Sequence, residues 1–443
     1  MEKKAIFKTI ILLAIPTMLE QILSTLLQYV DTAMVGNLGE QATASVSVTT
    51  TINWLIGSIA SAIGVAGIAM ISKAVGKDDR EEIRCVSSQL FLLILACAAV
   101  LGGASMILSP YIPIWMGAEQ SIQKDASAYF FIISVPMLFR VANTICGAAL
   151  RATKNTKTPM VINMITNIMN IALNYMFIYI MHMGVVGAAW GSAISYVVSG
   201  ALMFWAYRKN EMLCWEWKKL SIHKEQLKEC VRIGVPVLLT SATSCFGYIV
   251  FAALVSGMGT TIFAAHSIAV TAETIFYIPG YGLRTATSTM VGIALGEQNK
   301  RKFDLVSEVS IVITMVMMIL NGVLLYIVAL PLMELLTSSQ PVAVLGAEML
   351  KLVAFTEPFF GLMIVMEGIL YGLGRTKYAF VVETFSMWGI RIMLTALCVL
   401  IWKLDLRAVW YCMIADNICK ALLLAIPMCL KKYRKKLFME KCL

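Results

Sequence analysis

Apolar runs of roughly 20 residues, the length that crosses a hydrocarbon layer of ~30 Å, recur along all 443 residues of this chain with short polar interruptions. Apolar residues make up 59% of the sequence and charged ones 14%, with a mean hydropathy of +0.80. That balance lies far from a water-soluble fold. The runs predict spans at 8–34, 43–72, 83–110, 124–150, 159–182, 188–209, 229–255, 262–293, 302–330, 344–372, 378–401 and 408–430. The expected fold is an all-α polytopic membrane protein with twelve transmembrane helices.

The first 16 residues, MEKKAIFKTIILLAIP, start basic, but the apolar run continues to Val35 with no A-x-A-like cleavage site, so it reads as the first span rather than a signal peptide. The eleven cysteines, among them Cys97, Cys146, Cys245, Cys398 and Cys412, show no paired spacing and read as free thiols. A net charge of +10 invites a nucleic-acid reading until the basic residues are placed. They sit before the first span at Lys3, Lys4 and Lys8, and then in every second loop: Lys73 to Arg84, Arg151 to Lys157, Arg208 to Arg232, Lys300 to Lys302, and Arg375 with Lys377. Loops 36–41, 183–187, 256–261 and 331–343 contain no Lys or Arg. The positive-inside rule then places both termini in the cytoplasm of a plasma-membrane protein, and anionic lipid headgroups rather than nucleic acid account for the charge.

A shift of 220 residues brings the two halves into register: Pro16 meets Pro236, Gly39 meets Gly259, Ser47 meets Ser267, Gly76 meets Gly296, and Thr156-Lys157 meets Thr376-Lys377. Six spans per half make this a parallel repeat of two six-helix bundles. The expected division is an N-terminal lobe 1–209, a cytoplasmic linker 210–228 with Trp215 and Trp217 at the membrane surface, a C-terminal lobe 229–430 and a basic cytoplasmic tail 431–443. Pro16, Gly64, Gly67, Pro236, Pro279, Gly280 and Gly282 weaken or bend their helices, and read either as hinges or as close-packing points.

The stretches AIPTMLEQILSTLLQYVDTAMVGNLG, GAALRATKNTKTP, GVVGAAWGSAIS and TAETIFYIPGYGLRTATSTMVGIALGEQNKRK resemble multidrug and toxic compound extrusion (MATE) transporters of the bacterial type. The resemblance covers essentially the whole chain. It implies two bundles in a V, alternating access, and antiport of organic cations against Na+ or H+.

A carboxylate at mid-membrane costs roughly 2.5–3.5 kcal/mol on insertion scales and needs a partner or a task. Asp31 leads the candidates, set late in the first span among apolar and hydroxyl neighbours. Asn163, Asn167, Asn170 and Asn174 follow a 4-3-4 spacing that puts four amides on one face of the fifth span. At about 1.5 Å per residue, Asn170 and Asn174 lie roughly 16 and 22 Å from the start of that span, a depth that Asp31 and Ser192 also reach. Hard oxygen ligands suit Na+, and a carboxylate shielded by apolar groups also suits a proton. The resemblance implies that Asp31, Asn170, Asn174 and Ser192 are the cation-coupling set, with Na+ possible there. Many family members carry aspartate where this chain has Asn174, so Asp31 is the sole acid of the cluster and the choice between Na+ and H+ stays open.

Glu20, Glu273, Arg284 and Glu357 are the candidate substrate-cavity residues. Glu273 and Arg284 fall within about 20° on one helix face, open either to substrate or to an internal salt bridge across Pro279-Gly280. Glu367, Glu383, Arg391 and Asp416 read as structural pairs. His182, His223 and His266 are too dispersed for a metal cluster, and neither a P-loop nor an H-E-x-x-H motif occurs. No cofactor beyond Na+ or H+ as coupling ion is expected, and the chain is expected to act as a monomer on an organic small molecule among membrane lipids. Export of an amphipathic, cationic solute is the leading reading. The alternatives are a flippase for a lipid-linked precursor, with Arg140, Arg284 and Arg391 on phosphate, and an intramembrane enzyme, for which no nucleophile–base or metal constellation is found.

Overall fold

A computed structural model describes residues 2–216, 220–429 and 438, and among these it contains helices and no strand. The first half comprises α1 (Glu2–Gly36), α2 (Glu40–Gly76), α3 (Arg80–Leu108), the short α4 (Ile112–Trp115), α5 (Gln120–Ser134), α6 (Met137–Ala152), α7 (Lys157–Tyr175) and α8 (Gly184–Lys209). The second comprises α9 (Lys224–Ser256), α10 (Thr260–Gly296), α11 (Lys300–Leu336), α12 (Gln340–Ala354), α13 (Glu357–Gly372), α14 (Thr376–Ser386), α15 (Met393–Ala396) and α16 (Leu406–Cys429). Wide π turns extend α7 at Met176–Ile180 and flank α15 at Met387–Ile392 and Leu397–Ile401.

Ten helices are long and apolar enough to span a bilayer without a break, and two bent pairs bring the number to twelve. The continuous fourth and tenth spans expected from hydropathy are therefore corrected: α5 and α6 meet at 53°, and α12 and α13 at 58°. Proline explains both breaks. Pro136 caps α6 and Pro358 occupies its counterpart's first turn, where a missing N–H costs nothing but continuation of the preceding helix is blocked.

The 220-residue register reaches the backbone itself. Both breaks obey it, and so do three loop residues with positive φ: Gly39 at 110° and Gly259 at 121°, Asp78 at 56° and Gln298 at 52°, Lys154 and Gly374 at 65° each. Asp79 caps α3 by accepting from the Glu82 amide at 2.8 Å, and Asn299 caps α11 by accepting from the Lys302 amide at 2.9 Å. Short polar side chains at the same place in each half start the same helix.

Two compact units form, Leu19–Leu238 on the one hand and Met1–Met18 with Leu239–Leu443 on the other. They differ from the sequence-based lobes 1–209 and 229–430 at the starts of α1 and α9. Each changeover falls two residues beyond the internal proline, Pro16 or Pro236, where the helix lacks one backbone bond. The first unit is centred on Ile71, Ile83, Leu90, Ile145 and Leu150, and the second on Leu325, Met333, Leu350, Val409 and Trp410. The small residues of the long helices are packing points: a Cβ on Gly67 would come within 3.0 Å of Leu90, and one on Gly282 within 2.7 Å of the Met18 amide.

Trp215 of the connection packs into the first unit. It is 5% exposed, its carbonyl accepts from Arg208 at 2.8 Å, and its ring packs on Phe91 and Tyr207 within the first unit. The connection also ends earlier than 228, because α9 begins at Lys224. Trp217 and the expected basic tail 431–443, apart from Phe438, lie outside the described residues.

Candidate functional site

Helices α1 and α7 run in parallel and are joined by polar rungs at one constant offset of 143 residues. Asn163 donates to Glu20 at 2.6 Å, Asn167 donates to Ser24 Oγ at 3.1 Å, and Asn174 donates to Asp31. The amide face read from the 4-3-4 spacing is thus one side of a ladder whose other side is α1. The Asn163 rung is reinforced by Arg151, whose Nη2 lies 2.5 Å from the same Glu20 oxygen, and by Ser199, which donates to Asn163 Oδ1 at 3.3 Å. Glu20, a candidate cavity residue, is 7% exposed and bridges α1, α6 and α7 through these contacts.

At the far end of the ladder the four candidate cation-coupling residues form one connected chain. Asp31 accepts from Asn174, Asn174 donates to Asn170 Oδ1 at 3.4 Å, and Asn170 donates to Ser192 Oγ at 3.4 Å. Asn174 is fully buried, and its Oδ1 has no hydrogen-bond partner. An orphaned carbonyl oxygen of this kind costs about 1–3 kcal/mol, and it faces Gly191 of α8, where a Cβ would overlap it. Gly191→Ala should therefore displace Asn174 and lower stability by about 1–3 kcal/mol. We expect a lower melting temperature; a variant that melts with the parent would show that Asn174 need not stay where it is.

The second half carries its charges differently. Arg284 pairs with Glu367 of α13 at 2.7 Å, and among the described residues no ion pair joins it to Glu273. Of the two readings left open for Glu273 and Arg284, the internal salt bridge is not formed among the described residues, because Glu367 takes the guanidinium. Arg391, on the π turn before α15, and Lys420 of α16 both bind Asp416 Oδ2, at 2.8 and 2.9 Å. Asn417 accepts a further bond from Arg391 at 3.1 Å. The structural pairing expected for Glu367, Arg391 and Asp416 is present. Lys420 was overlooked, although a lysine inside an apolar span four residues from an aspartate is a readable signal. Glu273 and Glu357 are 6% and 1% exposed, and neither forms an ion pair among the described residues. Glu357 opens α13 at the break, where the positive end of the helix dipole favours an acid.

The MatE family model matches residues 16–176 and 236–397, most of both halves. The chain belongs to the MATE family of multidrug efflux transporters. This MATE chain is 25% identical over 440 residues to a probable multidrug resistance protein NorM of Thermotoga maritima, covering 98% of this chain and 95% of that one. It is 26% identical over 403 residues to the multidrug resistance protein NorM of Photobacterium profundum, covering 86% and 85%. A solved MATE in complex with MaL6 superposes with a TM-score of 0.92 at 21% identity over 97% of each chain. A transporter of the MOP superfamily from Pyrococcus furiosus, for which reverse polarity of the binding pocket suggests a different function, superposes with a TM-score of 0.90 at 22% identity over 98% and 96%. MATE members are transporters rather than enzymes.

Proposed function

We propose that the chain is a secondary antiporter of the plasma membrane, with both termini cytoplasmic, that works as a monomer. It exports small amphipathic cationic solutes in exchange for Na+ or H+ by alternating access. The observation that carries the reading is the Asp31–Asn174–Asn170–Ser192 chain, one carboxylate in contact with amide and hydroxyl groups inside an apolar bundle. A cation or proton arriving at Asp31 would compete with the Asn174 amide and so change how α1 is held against α7. A ligand shifts such an equilibrium only by its differential affinity for the two states. One positive charge moving inward down 100 mV supplies roughly 2.3 kcal/mol, about a fifty-fold solute gradient. The acids Glu273 and Glu357 give the second half a negative character suited to a cationic solute. A flippase for a lipid-linked precursor is less well supported, because two of the three arginines needed for phosphate are occupied by Glu367 and Asp416.

Purified protein in liposomes, given a Na+ gradient or a pH gradient separately, tests the reading. Uptake of a cationic dye should follow one of the two gradients and collapse when an ionophore dissipates it. Equal transport with no gradient would overturn antiport.

A further inference from the structure

Among the three span arginines flagged by sequence, Arg284 and Arg391 each hold a carboxylate, and Arg140 holds none among the described residues. It lies on the first turn of α6, near the middle of the broken span formed by α5 and α6. There an uncompensated charge costs roughly 2.5–3.5 kcal/mol. Its contacts are neutral and long. Nη1 donates to Asn53 Oδ1 at 3.4 Å and to the Ile133 carbonyl at 3.3 Å, and the guanidinium stands 4.9 Å over the Tyr196 ring.

These contacts orient the group without using it up. The Ile133 carbonyl belongs to the broken end of α5, so one edge of the guanidinium caps that helix. Asn53 is itself anchored, donating to the Thr49 carbonyl at 3.2 Å. Both bonds leave from Nη1, and among the described residues Nη2 and Nε make none. Neither nitrogen is among the fully buried polar atoms without a partner, and Arg140 is partly exposed. A guanidinium held on one edge, supported by an aromatic face beneath and with its other edge open, has the fork geometry that accepts a carboxylate through two parallel bonds.

The internal repeat isolates the feature. The positions related to Arg140, Asn53 and Tyr196 by the 220-residue register are Phe360, Glu273 and Asp416. A basic and neutral set in one half faces an apolar and acidic set at the same places in the other.

We propose that Arg140 is a specificity-determining residue that takes the carboxylate of a zwitterionic, amphipathic, aromatic solute. The proposal rests on the export reading above and narrows its substrate class. The probes that test it are a rhodamine zwitterion with a free carboxylate and its methyl ester, a cation of nearly the same size and shape. Affinities are read by fluorescence polarisation on the purified full chain with no ion gradient. The wild type should bind the zwitterion about ten-fold more tightly than the ester, the worth of a charge-assisted bidentate contact. That ratio should fall to near one in Arg140→Gln and recover in part in Arg140→Lys, which keeps the charge but not the fork.

A ratio that stays unchanged in Arg140→Gln overturns the proposal, and so does a wild type with no preference. Should Arg140→Gln fail to fold, the wild type alone decides: its preference must vanish when the pH is lowered below the probe's carboxyl pKa, and persistence would overturn the proposal. Gradient-driven transport of the ester by the wild type reads the antiport by itself. Loss of ester transport would sink the export reading, whereas ester transport without a zwitterion preference would sink only the role of Arg140.

Discussion

Asp31→Asn should bring coupled efflux down to the level of cells lacking the transporter, while the protein is still made and inserted. The substitution changes one atom of nearly the same size, and an amide can still accept from Asn174 through its oxygen, so the rung between α1 and α7 survives. What disappears is the charge, and no second acid stands in for it: Asn170, Asn174 and Ser192 are all neutral. In a chain that carried an aspartate at position 174, the loss would be shared between two carboxylates. Here it is complete. Dye efflux is measured beside the amount of protein in the membrane fraction, and binding of the dye to purified Asp31→Asn should persist because the coupling step alone is removed. Gradient-driven efflux at the parental rate would remove Asp31 as the coupling residue.

The parts of the fold that could be read in advance are those with a local cause. Twelve apolar runs, the basic loops and the 220-residue register come from composition and from turn residues. The positive-φ pairs Gly39/Gly259 and Lys154/Gly374 show the register carried down to single backbone angles. The breaks at Pro136 and Pro358 were hidden because hydropathy averages over a span and does not register the direction of the chain on either side of a proline. The amide face of α7 was legible from its spacing, but its partners were not. That Asn163 meets Glu20 and Asn174 meets Asp31 follows from two helices lying in parallel at one offset, a property of neither helix alone. For the same reason neither the Arg284–Glu367 pair nor the contacts of Glu20 with Arg151 and Asn163 could be read from one helix. Pairing within a helix follows from 3.6-residue geometry; pairing between helices depends on packing that one sequence does not display.

Asp416→Ala should be the most destabilising single change in the second half, because one carboxylate oxygen serves two buried cations. Arg391 and Lys420 reach Asp416 Oδ2 at 2.8 and 2.9 Å, and the three side chains are 5%, 9% and 0% exposed. Removing one partner of a buried ion pair costs about 3–5 kcal/mol, chiefly because the other charge stays buried without compensation. Here two charges are stranded. Among the described residues Arg391 keeps its bond to Asn417, the faces of Tyr248 and Phe251, 5.6 and 5.7 Å from the guanidinium carbon, and the more distant Glu273 carboxylate. Lys420 lies buried on the apolar α16. The expected result is a melting temperature in detergent lower by many degrees, or protein that does not survive extraction. Lys420→Met added to Asp416→Ala should restore part of the loss, since one of the two stranded charges is then gone. If the single variant instead melts with the parent, the triad is not what holds the π turn at Met387–Ile392 to α16, and the position of Arg391 beside Tyr248 must be secured by packing alone.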